Sequence, residues 1–192
     1  LIACMFKLED IDNSYTLFID RDGVLNHEKK EDYVRNWEEF EFYDGSIQAL
    51  SILYPLFKKV ILVTNQKGVG KGLMSLEDLE NIHHHMLAAI KAGGGNIDKI
   101  FFCTDLDSDS YNRKPNPGMA FQAANLFPEI DLSKAMMVGN RISDMGFGRN
   151  AGMHTVFLST THPETDFPHP QIDIRCENLL DFAKQVQAII KS

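Results

Sequence analysis

Two carboxylates one residue apart, Asp20 and Asp22 in Asp20-Arg21-Asp22-Gly23, stand directly after the apolar run Leu17-Phe18-Ile19. At the end of a buried strand, where the chain breaks into a loop at Gly23, both can reach one crevice, the usual ligand position in an open parallel sheet. There one carboxylate can attack an electrophile while the other handles protons. Alone, an acidic pair beside a glycine also suits a turn or a calcium loop. The rest of the chain has to decide.

Three further constellations follow apolar runs in the same way. Thr64-Asn65-Gln66 comes after Val60–Val63, and its hydroxyl, amides and backbone N–H groups suit phosphate oxygens. Arg113-Lys114-Pro115-Asn116-Pro117-Gly118 supplies Lys114, a cation able to neutralise both a phosphate and a nucleophilic aspartate. Gly139-Asn140-Arg141-Ile142-Ser143-Asp144 comes after Met136–Val138 and offers oxygen ligands for a hard cation such as Mg²⁺. Taken singly, these are a polar turn, a loop lysine and a helix cap. Their order, each at a strand end, gives them weight together.

The elements that must position them alternate. Strands are predicted at Tyr15–Asp20, Val60–Thr64, Ile100–Cys103, Ala135–Val138 and His154–Leu158, near-continuous in hydrophobicity as strands covered on both faces are. Helices are predicted at Gly45–Leu56, Leu76–Lys91, Pro117–Leu126, Ile142–Asn150 and Leu179–Ile190. Ser75 with Asp78 reads as a capping box, Asn116-Pro117 as a cap with proline at the first helical position, and Gly93-Gly94-Gly95 as a stop. The rhythm is that of an α/β doubly wound parallel sheet with helices on both faces. Thr160–Pro170 reads as a loop.

The 192 residues suit one domain, 1–192, with a core over about 15–160 and a C-terminal helix over about 177–190. A net charge of −8 argues against nucleic acid or an acidic membrane as partner, while leaving room for a local cationic pocket. Three scattered cysteines (Cys4, Cys103, Cys176) point to reduced thiols and a cytoplasmic setting. No apolar run is long enough to span a membrane, and the first residues do not read as a signal peptide, with Met5 an alternative start.

With these motifs in place the chain resembles haloacid dehalogenase superfamily phosphatases, whose four motifs match Asp20-x-Asp22, Thr64, Lys114 and Asn140-x-x-x-Asp144. Asp20-Arg21-Asp22-Gly23-Val24-Leu25-Asn26, Thr64-Asn65-Gln66 with Gly68 and Gly72, and Arg113-Lys114-Pro115-x-Pro117-Gly118-Met119 resemble the small capless branch of histidinol-phosphate and heptose-bisphosphate phosphatases. Asp32-Tyr33-Val34 and Phe40-Glu41-Phe42-x-Asp44-Gly45 lean to the heptose-bisphosphate side. The resemblance implies that Asp20 attacks phosphorus and that Asp22 protonates the leaving alkoxide, then activates water. It implies Mg²⁺ held by Asp20, the Asp22 carbonyl, Asn140 and Asp144, with Thr64 and Lys114 on the transferring oxygens. Asn65, Gln66, Lys71 and Arg113 are the expected substrate contacts. Asn26–Tyr43 is too short for a helical cap, so an open site on a monomer, acting on a small sugar phosphate, is expected. A histidinol-phosphate or other small-metabolite phosphatase, a phosphotransferase, a catalytically weak pseudophosphatase and a signalling receiver domain are the alternatives. In a receiver the acidic pair and the nucleophile would sit on different strands.

The chain departs from that family pattern at three places. Asn140 stands where relatives carry aspartate, removing a negative charge from the metal shell. Cys103–Arg113 holds one cysteine and no histidine, so no zinc loop is expected, and its acidic stretch reads as solvated. Lys67 and Lys71 flank Gly68-Val69-Gly70, as substrate contacts or as a solvated basic turn. His83-His84-His85 cannot all face one metal from a helix and reads as a solvated or half-buried face, and Trp37 with Phe40, Phe42 and Tyr43 as a packed flap.

Overall fold

The computed structural model describes residues 6–190; Cys4 and Met5 lie outside them. Six strands, β1 (Thr16–Ile19), β2 (Lys59–Asn65), β3 (Lys99–Cys103), β4 (Ala135–Gly139), β5 (His154–Leu158) and β6 (Ile174–Cys176), form one sheet in the order β3-β2-β1-β4-β5-β6. Every pairing is parallel. The chain winds outward from β1 to β3, then crosses back to start β4 on the other side of β1. The ends of β1 and β4 therefore flank a topological switch point, where an open α/β sheet leaves a crevice.

The two-residue period of the strands sorts their side chains into two cores. Leu17, Ile19, Val60, Leu62, Met136 and Val138 face one side, where they meet α1 (Ser46–Leu53), α3 (Leu76–Ala92) and α6 (Leu179–Ile190). Phe18, Ile61, Val63 and Met137 face the other, against α4 (Gly118–Leu126) and α5 (Ile142–Ala151). Leu17, Phe18 and Ile19 are each fully buried. This double coverage is why β1 reads as an unbroken apolar run.

The predicted strands and helices form close to their expected ends. Ser75 accepts from the Asp78 N–H while the Asp78 carboxylate accepts from the Ser75 N–H, so the expected capping box starts α3, and Gly93 ends it. One expectation is corrected: Asn116 does not cap α4. Its amide donates to the Ser110 carbonyl at 2.9 Å, Pro117 takes the cap position and the helix starts at Gly118. Besides short 3-10 turns, the sequence reading lacks the strand β6 and a single α-helical turn, α2 (Lys67–Gly70). Among the described residues no helix is long and apolar enough to cross a membrane.

Candidate active site

The chemistry collects at the carboxyl end of the central strands, in a cavity of about 560 Å³. β1 delivers Asp20 to its floor, and the Asp20 N–H continues the ladder by donating to the Val138 carbonyl of β4 at 3.0 Å. Thr64, near the end of β2, is buried beside it. Lys114 arrives from the loop before α4 and is only 3% exposed. Its ammonium donates to Asp20 Oδ1 at 2.8 Å, lies 2.8 Å from Asp144 Oδ1 and donates to the Val63 carbonyl at 2.9 Å.

The Lys114 loop is fixed by Asn65. The Asn65 amide donates to the Lys114 carbonyl and accepts from the Lys114 N–H, each at 3.1 Å. Asn65 also lines the cavity, but its side chain is spent on aligning the lysine.

Asp144 anchors the other side. Its Oδ2 accepts the N–H groups of Asn140 and Arg141 at 3.2 and 3.0 Å, capping α5. Close approach here depends on Gly139, because a Cβ at that position would lie 2.3 Å from Asp144 Cβ. Both Asp144 oxygens are thus engaged inside the protein.

Asn140 is fully buried, and its Nδ2 donates to Thr161 Oγ1 at 2.6 Å and to Glu28 Oε2 at 3.5 Å. Its Oδ1 has no hydrogen-bond partner. A buried amide oxygen left without a donor costs free energy unless something else engages it. Gly23, at φ 85°, permits this arrangement, since a Cβ there would lie 2.0 Å from Asn140 Nδ2. Glu28 in turn takes two bonds from the Arg141 guanidinium, both 2.9 Å.

Asp22 sits in a different setting. Arg21, 1% exposed, reaches both its oxygens at 3.0 Å, Asn26 donates to Oδ1 at 3.0 Å, and Gln66 donates to Oδ2 at 2.9 Å. Gln66 also donates to Thr64 Oγ1 at 2.9 Å, linking the second motif to the first.

These environments act on charge in opposite directions. Burial pushes the Asp20 carboxyl up to about 7; Lys114 pulls it down, and the negative charges of Asp144 and Asp22 add to the rise. Burial works against the Lys114 ammonium, but Asp144 and Asp20 outweigh it and hold it above the usual lysine range. Burial also works to raise Asp22, but the charge of Arg21 and the bonds from Asn26, Arg21 and Gln66 bring it below the usual carboxylate range.

A D-glycero-alpha-D-manno-heptose-1,7-bisphosphate 7-phosphatase of Mycobacterium tuberculosis (strain CDC 1551 / Oshkosh) is 37% identical over 139 residues, 72% of this chain and 73% of the relative. The D-glycero-beta-D-manno-heptose-1,7-bisphosphate 7-phosphatase of Helicobacter pylori (strain J99 / ATCC 700824) is 34% identical over 171 residues, 88% and 95% of the two chains. The chain belongs to the haloacid dehalogenase superfamily of phosphatases, in its heptose-bisphosphate branch. A family model described as HAD-hydrolase-like matches residues 111–181 of this phosphatase. In three dimensions it resembles a crystal structure of D,D-heptose 1,7-bisphosphate phosphatase from B. bronchiseptica complexed with magnesium and phosphate. The TM-score is 0.81 at 30% identity, over 91% of this chain and 98% of that one.

The fold thus brings Asp20, Asp22, Thr64, Asn65, Gln66, Arg113, Lys114 and Asp144 of this phosphatase to one cavity, with Asn140 buried behind Gly23. Lys71 lies outside the lining: its ammonium stands 5.2 Å over the Tyr33 ring, and Tyr33 and Lys67 face the cavity instead. Trp37 also stays outside, stacked 5.1 Å from Phe40 and 5.2 Å from His85. Sequence reasoning gave no site role to Arg21, Asn26, Glu28, Arg141, Thr161 or His83. Arg21 and Asn26 lie inside the first motif. Glu28 and Thr161 carry no local pattern and meet Asn140 only through the fold.

Proposed function

We propose that this phosphatase removes the 7-phosphate of a D-glycero-D-manno-heptose 1,7-bisphosphate, through an aspartyl-phosphate on Asp20 and with Mg²⁺ as cofactor. The observation that carries it is the Asp20–Lys114–Asp144 arrangement, an attacking carboxylate held by a buried cation at the floor of a cleft. The heptose assignment is supported by what both curated relatives act on.

Among the described residues no three His, Cys, Asp or Glu side chains form a group able to hold a metal. The oxygen set fits a hard cation nonetheless. Lys114 engages Oδ1 of Asp20 and leaves Oδ2 for an incoming group, the Asp22 backbone adds a carbonyl, and Asn140 Oδ1 is a buried acceptor without a donor. Those three would hold the ion, with Asp144 acting from behind through Lys114 and the Asn140 N–H. When bound, the cation offsets repulsion between a carboxylate and the phosphate dianion.

Asp20 supplies the attacking carboxylate oxygen, Thr64 can donate to the equatorial oxygens, and Lys114, whose three N–H groups are already taken, offsets the gathering negative charge through its own positive charge. Asp22 gives its proton to the departing sugar alkoxide, and as a carboxylate it then takes one from the water that cleaves the aspartyl-phosphate. Arg113 lies at the cavity wall, its guanidinium tied to the Asp105 carbonyl at 3.3 Å, where it suits a second anionic group on the substrate. The site draws all these groups from one chain, which supports a monomer of one domain. Cys103 and Cys176, both buried and free, support a reducing cytoplasmic setting.

Phosphate release with Mg²⁺ titrated, from both anomers of the heptose 1,7-bisphosphate, histidinol phosphate and hexose phosphates, tests the assignment. Strong preference for a heptose bisphosphate is expected. Even turnover of all of them removes the substrate assignment, and silence on all of them removes the catalytic one.

A further inference from the structure

His83 is the buried member of the histidine run on α3; His84 and His85 are exposed. Its Nε2 lies 3.3 Å from Arg21 Nη1, and its ring lies 5.9 Å from that of Phe102. Arg21 is almost completely enclosed, and its Nε and Nη2 groups donate to Asp22. A buried guanidinium donor without an acceptor would cost about 1–3 kcal/mol, or draw the group out of position. His83 supplies that acceptor from the side opposite Asp22.

We propose that His83 is a positioning residue for the chemistry at Asp22: as a neutral acceptor it fixes Arg21, and Arg21 fixes Asp22.

The chemistry of the acceptor matters as much as its place. A carboxylate at position 83 would also satisfy Arg21, but it would share the cation's charge and loosen its hold on Asp22. Neutral imidazole satisfies the donor and leaves the full positive charge to Asp22. Burial and the adjacent Arg21 charge push His83 down to about 3, with Asp22 pulling weakly the other way, so the ring stays neutral at physiological pH. Its outer side borders a second cavity, of about 350 Å³, whose charged lining is Glu80, Asp98 and Lys99. Protein contacts therefore set the geometry of Asp22 two residues deep, from the helix α3 that is itself pinned by the Ser75–Asp78 box.

The inference rests on the phosphatase reading above, and a substrate pair separates the two. A sugar-phosphate alkoxide needs the proton of Asp22 to leave, whereas 4-nitrophenolate leaves without one. His83→Leu is expected to lower kcat on heptose bisphosphate roughly 10- to 100-fold with KM within about twofold. The burst of 4-nitrophenol from 4-nitrophenyl phosphate should change less than about threefold, because that step depends on Asp20 and not on Asp22. His83→Gln, which places an amide oxygen near the imidazole Nε2, should restore kcat to within about threefold. His83→Glu keeps the bond but divides the charge, and should stay at least about tenfold down. Should His83→Leu fail to fold, the Gln and Glu variants carry the comparison alone. Equal losses on both substrates without rescue by Gln, or Gln and Glu variants alike, would overturn the positioning role. An inert wild type on every ester would instead overturn the phosphatase reading, and the inference with it.

Discussion

The two carboxylates of the first motif are separated by one residue and sit in opposite worlds. Asp20 lies at the buried floor of the cleft, where Lys114 is shared with Asp144, so one cation serves two anions and the carboxyl rises to about 7. Asp22 sits at a partly open wall where one guanidinium and two amides converge on a single anion, and it is lowered. The proposed nucleophile therefore rests in the environment that favours protonation, and the proposed acid–base group rests in the one that favours charge. Each is biased against its working form. On the proposed mechanism, a divalent cation held beside Asp20 would restore its charge, and a phosphate dianion brought next to Asp22 would raise that group toward the protonated form. Binding would then set both protonation states together and confine the reactive pair to the loaded site.

Substitution of the two residues should separate their roles most strongly. Asp20→Asn is expected to lower turnover at least about 10⁴-fold on every phosphate ester, since it removes the attacking atom. Asp22→Asn should cost roughly 10²- to 10³-fold on a sugar phosphate and markedly less in the burst on 4-nitrophenyl phosphate. Equal losses for both variants on both substrates would mean that the two pockets do not divide the chemistry as their surroundings imply.

The supporting cations give the next contrast. Lys114→Met strips Asp20 and Asp144 of their shared partner in a buried setting, which should cost about 3–5 kcal/mol in urea unfolding. Arg21→Met leaves Asp22 with Asn26 and Gln66 and partial exposure, and should cost about 1–3 kcal/mol. The reverse ranking would show that Arg21, and not Lys114, is the keystone of the resting site.

The half of this comparison that lies along the chain was legible in the sequence; the half made by folding was not. Asp20, Thr64, Lys114 and Asp144 each follow an apolar run or stand in a motif whose residue types announce their chemistry, and parallel strands deliver such positions to one end of a sheet. The second motif shows the limit. Asn65 and Gln66 were legible as polar groups at a strand end, yet their side chains align Lys114 and Asp22 rather than stand open to a substrate. His83 reads as one of three polar helix residues, and only the packing of α3 in the fold turns it inward to Arg21 and Phe102. Thr161 lies in a segment that reads as plain loop, and meets Asn140 across 21 positions of sequence. The strand β6 escaped for a simpler reason: three residues are too few to display a period.

The finest test of the comparison is the pH dependence of stability with divalent cations chelated. Asp20 has a folded value near 7 against an ordinary 3.8, so the folded protein keeps a proton the unfolded chain has released. Its contribution is fully present below 3.8, declines as pH rises and is lost above about 7. His83 is displaced the other way, to about 3 from 6.5: its contribution is present above 6.5 and lost as pH falls toward 3. Asp22 is also lowered, and its contribution falls away only in acid below the ordinary 3.8. Between about pH 4.5 and 6.5 the Asp20 and His83 slopes oppose one another and nearly cancel. In urea unfolding of the wild type across that window the Asp20 and His83 contributions should therefore offset one another, leaving the rise with pH that the lowered His154 adds. Asp20→Asn should tilt that profile so that stability rises more steeply with pH, and His83→Gln should tilt it the opposite way, toward falling with pH. Tilts of the same sign, or no tilt in either variant, would break the claim that the two sides of the motif are biased in opposite directions.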